Sequence, residues 1–518
     1  MKIQPIVSSQ TLSQAAAEFI AFGLSEEDKN DQFVAGASLS GDIPFELVSG
    51  KPAAFAFGVE YRKDTANNSP DINLITGNSI GFGSASPIDA KITVKEVFGE
   101  FQLPIIEGVS FIEELGIEAG FRYSDYKNAT TVDSTGSGGT INRFSNSFSN
   151  WTYKIGMNWR PVEALRFRAM YQRAVRAPNL FEIGLPQTSG TGDAIFDPCD
   201  STVFPANNTP TLANLCRTVG GGLPAGVNPG DPNPPTAGQV NNFSGGNPNL
   251  VPEKADTITI GAVLQPSVIR GLTASIDFFD IKVKKAILET PEQAILDACY
   301  FAEQDPAGEF CGFVRRSQID GSLEGDTIYG VQSIKRNIGK KTARGIDINL
   351  AYVTDLGADL KLRLGFNGTY VMDSKVQFAS VLRTYECVGK VGKTCLDPQP
   401  KWVWNQTTGV EYGNFLVQLT WRHLSGLEND AFSVGYYNPP RNYVLKPTIK
   451  AYNYFDLAAR FEVADQLQFR FGVDNLFNKK PPVLGNDYGG TAQNSGNTYP
   501  ATYDPLGRFF TAGVNVKF

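Results

Sequence analysis

Apolar and polar side chains alternate one for one over much of the chain. In the closing run from Arg508 to Phe518, residues Phe510, Ala512, Val514, Val516 and Phe518 fall on one side of an extended backbone, with Thr511, Gly513, Asn515 and Lys517 on the other. Phe455, Leu457, Ala459, Phe461 and Val463 alternate with Asp456, Ala458, Arg460 and Glu462; Leu467, Phe469, Phe471 and Val473 alternate with Gln468, Arg470, Gly472 and Asp474. Trp151 to Trp159, Leu360 to Asn367 and Phe415 to Arg422 repeat the pattern. Each run is about ten residues, the length a tilted strand needs to cross the hydrocarbon core of a bilayer. The prediction is an all-β fold, a transmembrane antiparallel β-barrel with its apolar side chains outside and its polar ones inside.

Fifteen strands are expected, at 34–43, 53–63, 92–106, 115–127, 150–162, 165–175, 254–266, 272–287, 328–354, 358–376, 401–413, 414–427, 449–464, 467–478 and 508–518. Ahead of them, residues 11–24 read as a short helix capped by Ser13 or Thr11, so the chain divides into a loop with a short helix (1–33) and a barrel domain (34–518). A water-soluble sandwich shows the same alternation with its apolar face turned inward. The connections separate the two readings. Short ones (44–52, 107–114, 163–164, 267–271, 355–357, 413–414 and 465–466) alternate with long ones (64–91, 128–149, 176–253, 288–327, 377–400, 428–448 and 479–507). Short periplasmic turns facing long extracellular loops are the layout of outer-membrane barrels, and a sandwich has no reason to obey it. The same rule makes 328–354 one long strand, because a break at Asn337–Ala343 would put the next two short turns on the outer side. With fifteen strands the first and last run in the same direction. Bacterial single-chain barrels close with even numbers, so further strands are expected in front of these.

Composition narrows the classes. Hydrophobic residues make up 42% of 518 and no run of eighteen apolar residues occurs, which excludes helical membrane spans. The formal net charge of −7 argues against a nucleic-acid partner, since phosphate binding wants a basic surface. Met1-Lys-Ile-Gln-Pro-Ile lacks a charged segment followed by an apolar one, so no signal peptide is visible and a chain whose beginning is missing is expected.

Chemistry-bearing residues are few. The single histidine, His423, argues against histidine-based catalysis or metal binding and is read as a lumen-facing or loop-adjacent polar residue. No catalytic residue, metal ligand or cofactor is assigned. Cys199 and Cys216, Cys299 and Cys311, and Cys387 and Cys395 each fall as a pair inside one long loop, without a CxxC or a nearby histidine. They are read as three local disulfides formed in an oxidising compartment and stapling outward loops. Loop 176–253, rich in Pro, Gly, Asn and Thr, cannot bury enough apolar surface to fold alone. Thr135-Gly-Ser-Gly-Gly-Thr140 is read as a loop tip, not a phosphate cradle, and Asp320-Gly-Ser-Leu-Glu-Gly-Asp as a turn, not a calcium loop. Tyr436, Tyr437, Tyr443, Tyr488, Tyr499 and Tyr503 in the late loops could stack on a ligand, or form a membrane-interface girdle.

The run Phe167-Arg-Ala-Met-Tyr-Gln-Arg-Ala-Val-Arg-Ala-Pro-Asn-Leu-Phe-Glu182 resembles the central barrel motif of TonB-dependent outer-membrane receptors, with Arg173, Arg176 and Pro178 at the matching positions. Asn247-Pro-Asn-Leu-Val-Pro-Glu-Lys-Ala-Asp256, the stretch from Asn337 through Gly345-Ile-Asp347, and Val473-Asp-Asn-Leu-Phe-Asn478 (Asn475, Phe477) followed by Tyr503-Asp-Pro-Leu-Gly-Arg-Phe-Phe510 are similar to later elements of that family in the same order. The resemblance covers roughly residues 34–518. It implies a barrel of about 22 strands around an N-terminal plug, of which this chain carries about fifteen strands and no plug. It further implies a Gram-negative outer membrane with its lipid as surroundings, and a terminal Phe518 read by the outer-membrane assembly machinery. The expected function is TonB-dependent active uptake of a scarce solute, an oligosaccharide or a ferric siderophore, with the TonB complex engaged through the missing N-terminal part. The alternatives are a passive outer-membrane diffusion channel, a non-functional truncated receptor fragment, and an adhesin or outer-membrane enzyme; the last lacks a catalytic constellation.

Overall fold

The structure, a computed structural model, describes residues 21, 23–78, 85–133, 141–194, 196–324, 330–432, 446–464, 466–485, 488 and 497–517. Fifteen long strands form one antiparallel meander in chain order. They are β1 (Glu26–Glu46), β2 (Pro52–Pro70), β3 (Ile88–Val109), β4 (Ile112–Asp133), β5 (Ile141–Val162), β6 (Leu165–Arg176), β7 (Glu253–Leu264), β8 (Leu272–Glu289), β9 (Lys335–Gly357), β10 (Leu360–Gln377), β11 (Trp402–Tyr412), β12 (Phe415–Leu424), β13 (Tyr452–Ala464), β14 (Leu467–Asp474) and β15 (Phe509–Val516). Tyr385–Glu386 adds a short strand to β10. Short turns and long loops alternate along the meander except after β4, where the long loop expected at 128–149 shrinks to residues 134–140, no longer than the 265–271 turn, because β4 and β5 extend through its polar residues. Among the described residues β1 and β15 are its two edges.

Strands β3, β4 and β5 are each 22 residues long, about twice the span of a bilayer core. The apolar alternation marks only the middle of each, and the ladder of backbone hydrogen bonds carries on through polar residues toward the long-loop end. For the same reason β1 begins at Glu26, inside the segment expected to be a loop. Of the expected helix at 11–24, residues 11–20 and 22 lie outside the described residues.

Three strand ends differ from expectation because loop strands capture them. The strand expected from 328 starts at Lys335 and does run unbroken through Asn337–Ala343; Gly330–Gln332 instead pairs with Gln239–Ser244 and Val314–Arg315. Leu427–Asn429 leaves the end of the 414–427 strand, and Thr448–Ile449 the start of the 449–464 strand, to pair with each other. Strand β14 stops at Asp474 because Asn475 turns into the left-handed region (φ 52°).

Cross-strand partners share a face, so the register sorts every wall residue. Across β6 to β10, one row on the apolar face reads Ala169, Ile260, Phe278, Ile346 and Tyr370, and the next Phe167, Ala262, Ile276, Ile348 and Gly368. These side chains are bare: Ile260 is 56% and Ile276 50% exposed. An apolar band of this size facing water would be an aggregation surface, whereas facing lipid it is ordinary. The well-buried apolar cores lie mainly in the loops. No helix among the described residues is long and apolar enough to cross a membrane.

Candidate functional site

The polar face of the wall is laced by ion pairs that reach across a strand. Arg168 on β6 donates through Nε and Nη2 to both carboxylate oxygens of Asp277 on β8, each at 2.7 Å. Strand β7 lies between them, and Gly261, the register partner of both, leaves the gap. A Cβ at Gly261 would sit 1.9 Å from Asp277 Oδ1. The device recurs at Gly120, which lies between Glu100 and Lys154, a pair 3.6 Å apart. Gly261→Val is therefore expected to force Arg168 and Asp277 apart and to cost about 1–3 kcal/mol, as overpacking does. The check is the temperature at which heated samples lose the folded barrel's gel mobility, with Gly261→Val/Asp277→Gly restoring part of the loss.

Beside the Arg168–Asp277 pair lies a recess of about 810 Å³ lined by Asn158, Thr259, Asp347, Asn349, Asn367, Thr369 and Asn405 among others. Thr369 Oγ1 donates to Asp347 Oδ1 at 2.6 Å. The recess thus offers amide and hydroxyl groups beside the carboxylates of Glu118 and Asp347, and its one arginine is already neutralised by Asp277. Alternation alone places Asn158 and Asn367 on the polar face; that they converge with Asn349 and Asn405 follows from register, which sequence does not display.

The motif residues knit the wall to its loops. Arg176 bridges Glu253 (2.8 Å) and Glu182 (2.8 and 3.0 Å), and Asn179 and Glu182 form a reciprocal cap on the turn after Pro178. Arg173 donates to Asp256 at 2.8 Å. Asn337 accepts from Val251 N–H and donates to the Val251 and Lys285 carbonyls, so the Arg-Ala-Pro, Asn-Pro and Asn337 landmarks form one connected junction. Asn475, 1% exposed, accepts from Lys479 N–H at 2.7 Å and donates to the Lys479 carbonyl and to Asp504. It thereby ties the two halves of the C-terminal motif together. Phe477 is exposed and packs on Phe455 at the apolar face. Phe518 lies outside the described residues.

Above the long-loop end the loops 177–252, 290–334 and 378–401 share one core, here called the canopy. Leu212 and Leu215 from the first meet Ile295, Leu296, Tyr300 and Phe310 from the second and Phe378, Leu382 and Tyr385 from the third. All six cysteines are paired inside it, Cys199–Cys216, Cys299–Cys311 and Cys387–Cys395. Loop 176–253 is folded because its sparse apolar residues find partners on neighbouring loops. At its centre Arg316, fully buried, donates to both oxygens of Asp197 at 2.7 Å and to the Tyr300 hydroxyl. Lys393 Nζ donates to the Gly238 carbonyl at 2.9 Å and joins this core to a second one around Leu427, Ile449 and Leu484.

The second core corrects the aromatic reading. Tyr488, Tyr499 and Tyr503 are 1%, 2% and 1% exposed and pack within it, so their rings present no free stacking surface. The Tyr499 hydroxyl donates to the Tyr488 carbonyl at 2.6 Å, and burial pushes that phenol upward. Tyr436, Tyr437 and Tyr443 lie outside the described residues, as do residues 134–140 of the Gly-rich loop tip. Asp320 accepts from Ser322 N–H and Oγ in a turn. His423 is loop-adjacent at the end of β12. By register it shares the apolar face, stacking on Trp404 with ring centroids 5.0 Å apart and bonded through Nδ1 to Asn453 Oδ1. With Trp421 and Phe455 it forms an aromatic cluster there.

Glu292 is a buried acid of the canopy. It is 7% exposed, accepts from Asn242 Nδ2 and from Ser333 Oγ, and its carboxyl is pushed up to about 7 by burial, with Glu289 and Asp193 adding repulsion. An acid raised in the folded state makes folding less favourable as pH climbs from its ordinary value of 4.5 to about 7. The canopy should lose on the order of 3 kcal/mol across that window and change little above it. Hydrogen exchange of canopy amides should accelerate over the same range, and Glu292→Gln should flatten the dependence.

The sequence has no significant match among curated proteins. The family model described as TonB dependent receptor-like, beta-barrel matches residues 8–476. Among solved structures, a ferric enterobactin receptor from Pseudomonas aeruginosa aligns at 14% identity and TM-score 0.50 over 94% of this chain and 62% of that one. The ferric-catecholate import receptor of E. coli K12 aligns at 15% and 0.52, over 95% and 55%. A hemophore receptor of Serratia marcescens, solved with its hemophore and heme, aligns at 15% and 0.52, over 96% and 60%. The chain thus spans 55–62% of the length of these three proteins, and at such identities the likeness is one of fold.

Proposed function

Because the chain belongs to the TonB-dependent receptor β-barrel family, we propose that it forms wall and outer loops of a receptor in the outer membrane of a Gram-negative bacterium. In the complete receptor it takes up a scarce solute with energy supplied through TonB. The apolar face meets lipid, the polar face lines the path, and the canopy meets the solute first. The family is one of receptors and transporters, and the chain is assigned no bond-making or bond-breaking step.

The observation that favours a solute class is the composition of the recess. Asn158, Asn349, Asn367 and Asn405 with Thr259 and Thr369 offer paired donors and acceptors, and the local cation is neutralised by Asp277. Such a surface suits a neutral, hydroxyl-rich solute, an oligosaccharide, better than an anionic ferric chelate, which calls for uncompensated Arg or Lys. Isothermal titration of the folded chain with mixed oligosaccharides and with a ferric catecholate tests the class. Saturable oligosaccharide binding weakened by Asn367→Ala/Asn405→Ala is expected, and binding of the ferric chelate alone would reverse the assignment. Uptake by the complete receptor should stop when TonB is deleted; uptake that continued would make it a passive channel.

A further inference from the structure

We propose that the apolar face carries, on β6 to β10, a docking strip for the phosphate-bearing headgroups of anionic lipids; it rests on the reading of that face as lipid-facing. The register gives the strip row by row. Above the apolar rows described earlier comes Tyr171, Ile258, Asp280, Arg344 and Asp373, then Arg173, Asp256, Lys282, Thr342 and Lys375, then Val175, Lys254, Lys284, Lys340 and Gln377. Successive rows on one face are about 7 Å apart. The face therefore passes from wholly apolar to strongly basic within about three rows, near the distance from acyl chains to phosphates.

Seven cations and three acids occupy those three rows, on a chain whose formal net charge is −7. The acids sit low. Asp280 and Asp373 hold Arg344 within their own row and Lys282 and Lys375 from the row below, Asp256 holds Arg173 beside it and Lys284 above it, and Glu386, which extends the middle row beyond β10, also pairs with Lys375 at 3.6 Å. The top row has no acid, and among the described residues Lys254 and Lys340 make no ion pair. Lys282 and Lys284 side chains are 51% and 61% exposed. A scattered charged rim would be explained by solvation alone, but here the acids are drawn inward and the lysines left at the top. Long cationic side chains so placed lay their stems along acyl chains and raise their ammonium groups to the headgroups.

The test inserts the chain into nanodiscs of phosphatidylcholine alone, and of phosphatidylcholine mixed with phosphatidylglycerol, and counts retained lipids by native mass spectrometry. Retained phosphatidylglycerol should exceed its bulk share several-fold, and the excess should fall with added salt. Lys254→Glu/Lys340→Glu should bring retention close to the bulk share, whereas Lys254→Arg/Lys340→Arg should keep it. Retention at the bulk share in the unaltered chain would overturn the proposal, and so would an excess indifferent to the charge reversal. Displacement by excess inorganic phosphate with the lipid released would assign the cations to a free anion and likewise overturn it. A chain that entered neither bilayer would defeat the lipid-facing reading itself, an outcome distinct from insertion without headgroup preference.

Discussion

Arg316→Met is expected to open the loop canopy while leaving the strand wall folded. The guanidinium is fully buried and satisfied by both oxygens of Asp197, the Tyr300 hydroxyl and the Gly321 carbonyl. Removing it strands the Asp197 carboxylate in an apolar core, a loss of about 3–5 kcal/mol for a broken buried pair. The pair joins residue 197 of one loop to residue 316 of another, so the damage should show as coordinated opening of 177–252 and 290–334. Limited proteolysis should cut these loops at least tenfold faster than in the unaltered chain, while heat-resistant gel mobility of the wall persists. Asp197→Leu/Arg316→Met, which removes both charges, should recover most of the loss, because replacing a whole buried pair by apolar groups is close to neutral. Equal damage in the single and double variants would mean that packing, not charge, is what the pair supplies.

Loss of the three disulfides should have the other large effect. Each closes a short segment, 17, 12 and 8 residues apart in sequence, and all six cysteines are buried in the shared core. Constraint of the unfolded loop accounts for roughly 3 kcal/mol per bridge. Replacing all six cysteines by serine should therefore loosen the canopy more than any single substitution, and also leave buried hydroxyls where sulfur had packed. Replacing one pair should have a smaller effect, confined first to the loop that bridge closes. Hydrogen exchange by segment separates the cases: protection should vanish in 196–252, 290–324 and 378–401 in the six-fold variant and stay unchanged in β11 to β14.

The wall was legible in the sequence because one pattern, an apolar face backed by a polar one, repeats every second residue. Phe455 to Val463 and Leu467 to Val473 announce their faces without any help from neighbours. The alternation of short and long connections carried strand direction as well, and placed Asn337–Ala343 inside β9. What stayed hidden depends on contacts between distant residues. Gly261 has no marker of its own; its role exists only because Arg168 and Asp277 flank it in register, 93 and 16 residues away. The canopy was hidden for a related reason. Leu212, Ile295 and Tyr385 are each isolated in Pro- and Gly-rich sequence, and their core is assembled from three loops at once. The late tyrosines were hidden too, since Tyr488, Tyr499 and Tyr503 read as ligand-stacking or membrane-interface aromatics until the strands at 390–392, 427–429 and 448–449 pack around them.

The account depends most on which face of the wall meets lipid, and single-cysteine labelling reads that directly. All six native cysteines are paired, so an introduced thiol is distinguishable. With the chain in a bilayer, Asn367→Cys on the polar face should react readily with a membrane-impermeant maleimide, whereas Ile260→Cys on the apolar face should stay protected until detergent is added. Ready labelling at residue 260 with protection at residue 367 would contradict the inside-out wall, and with it the receptor reading built on it.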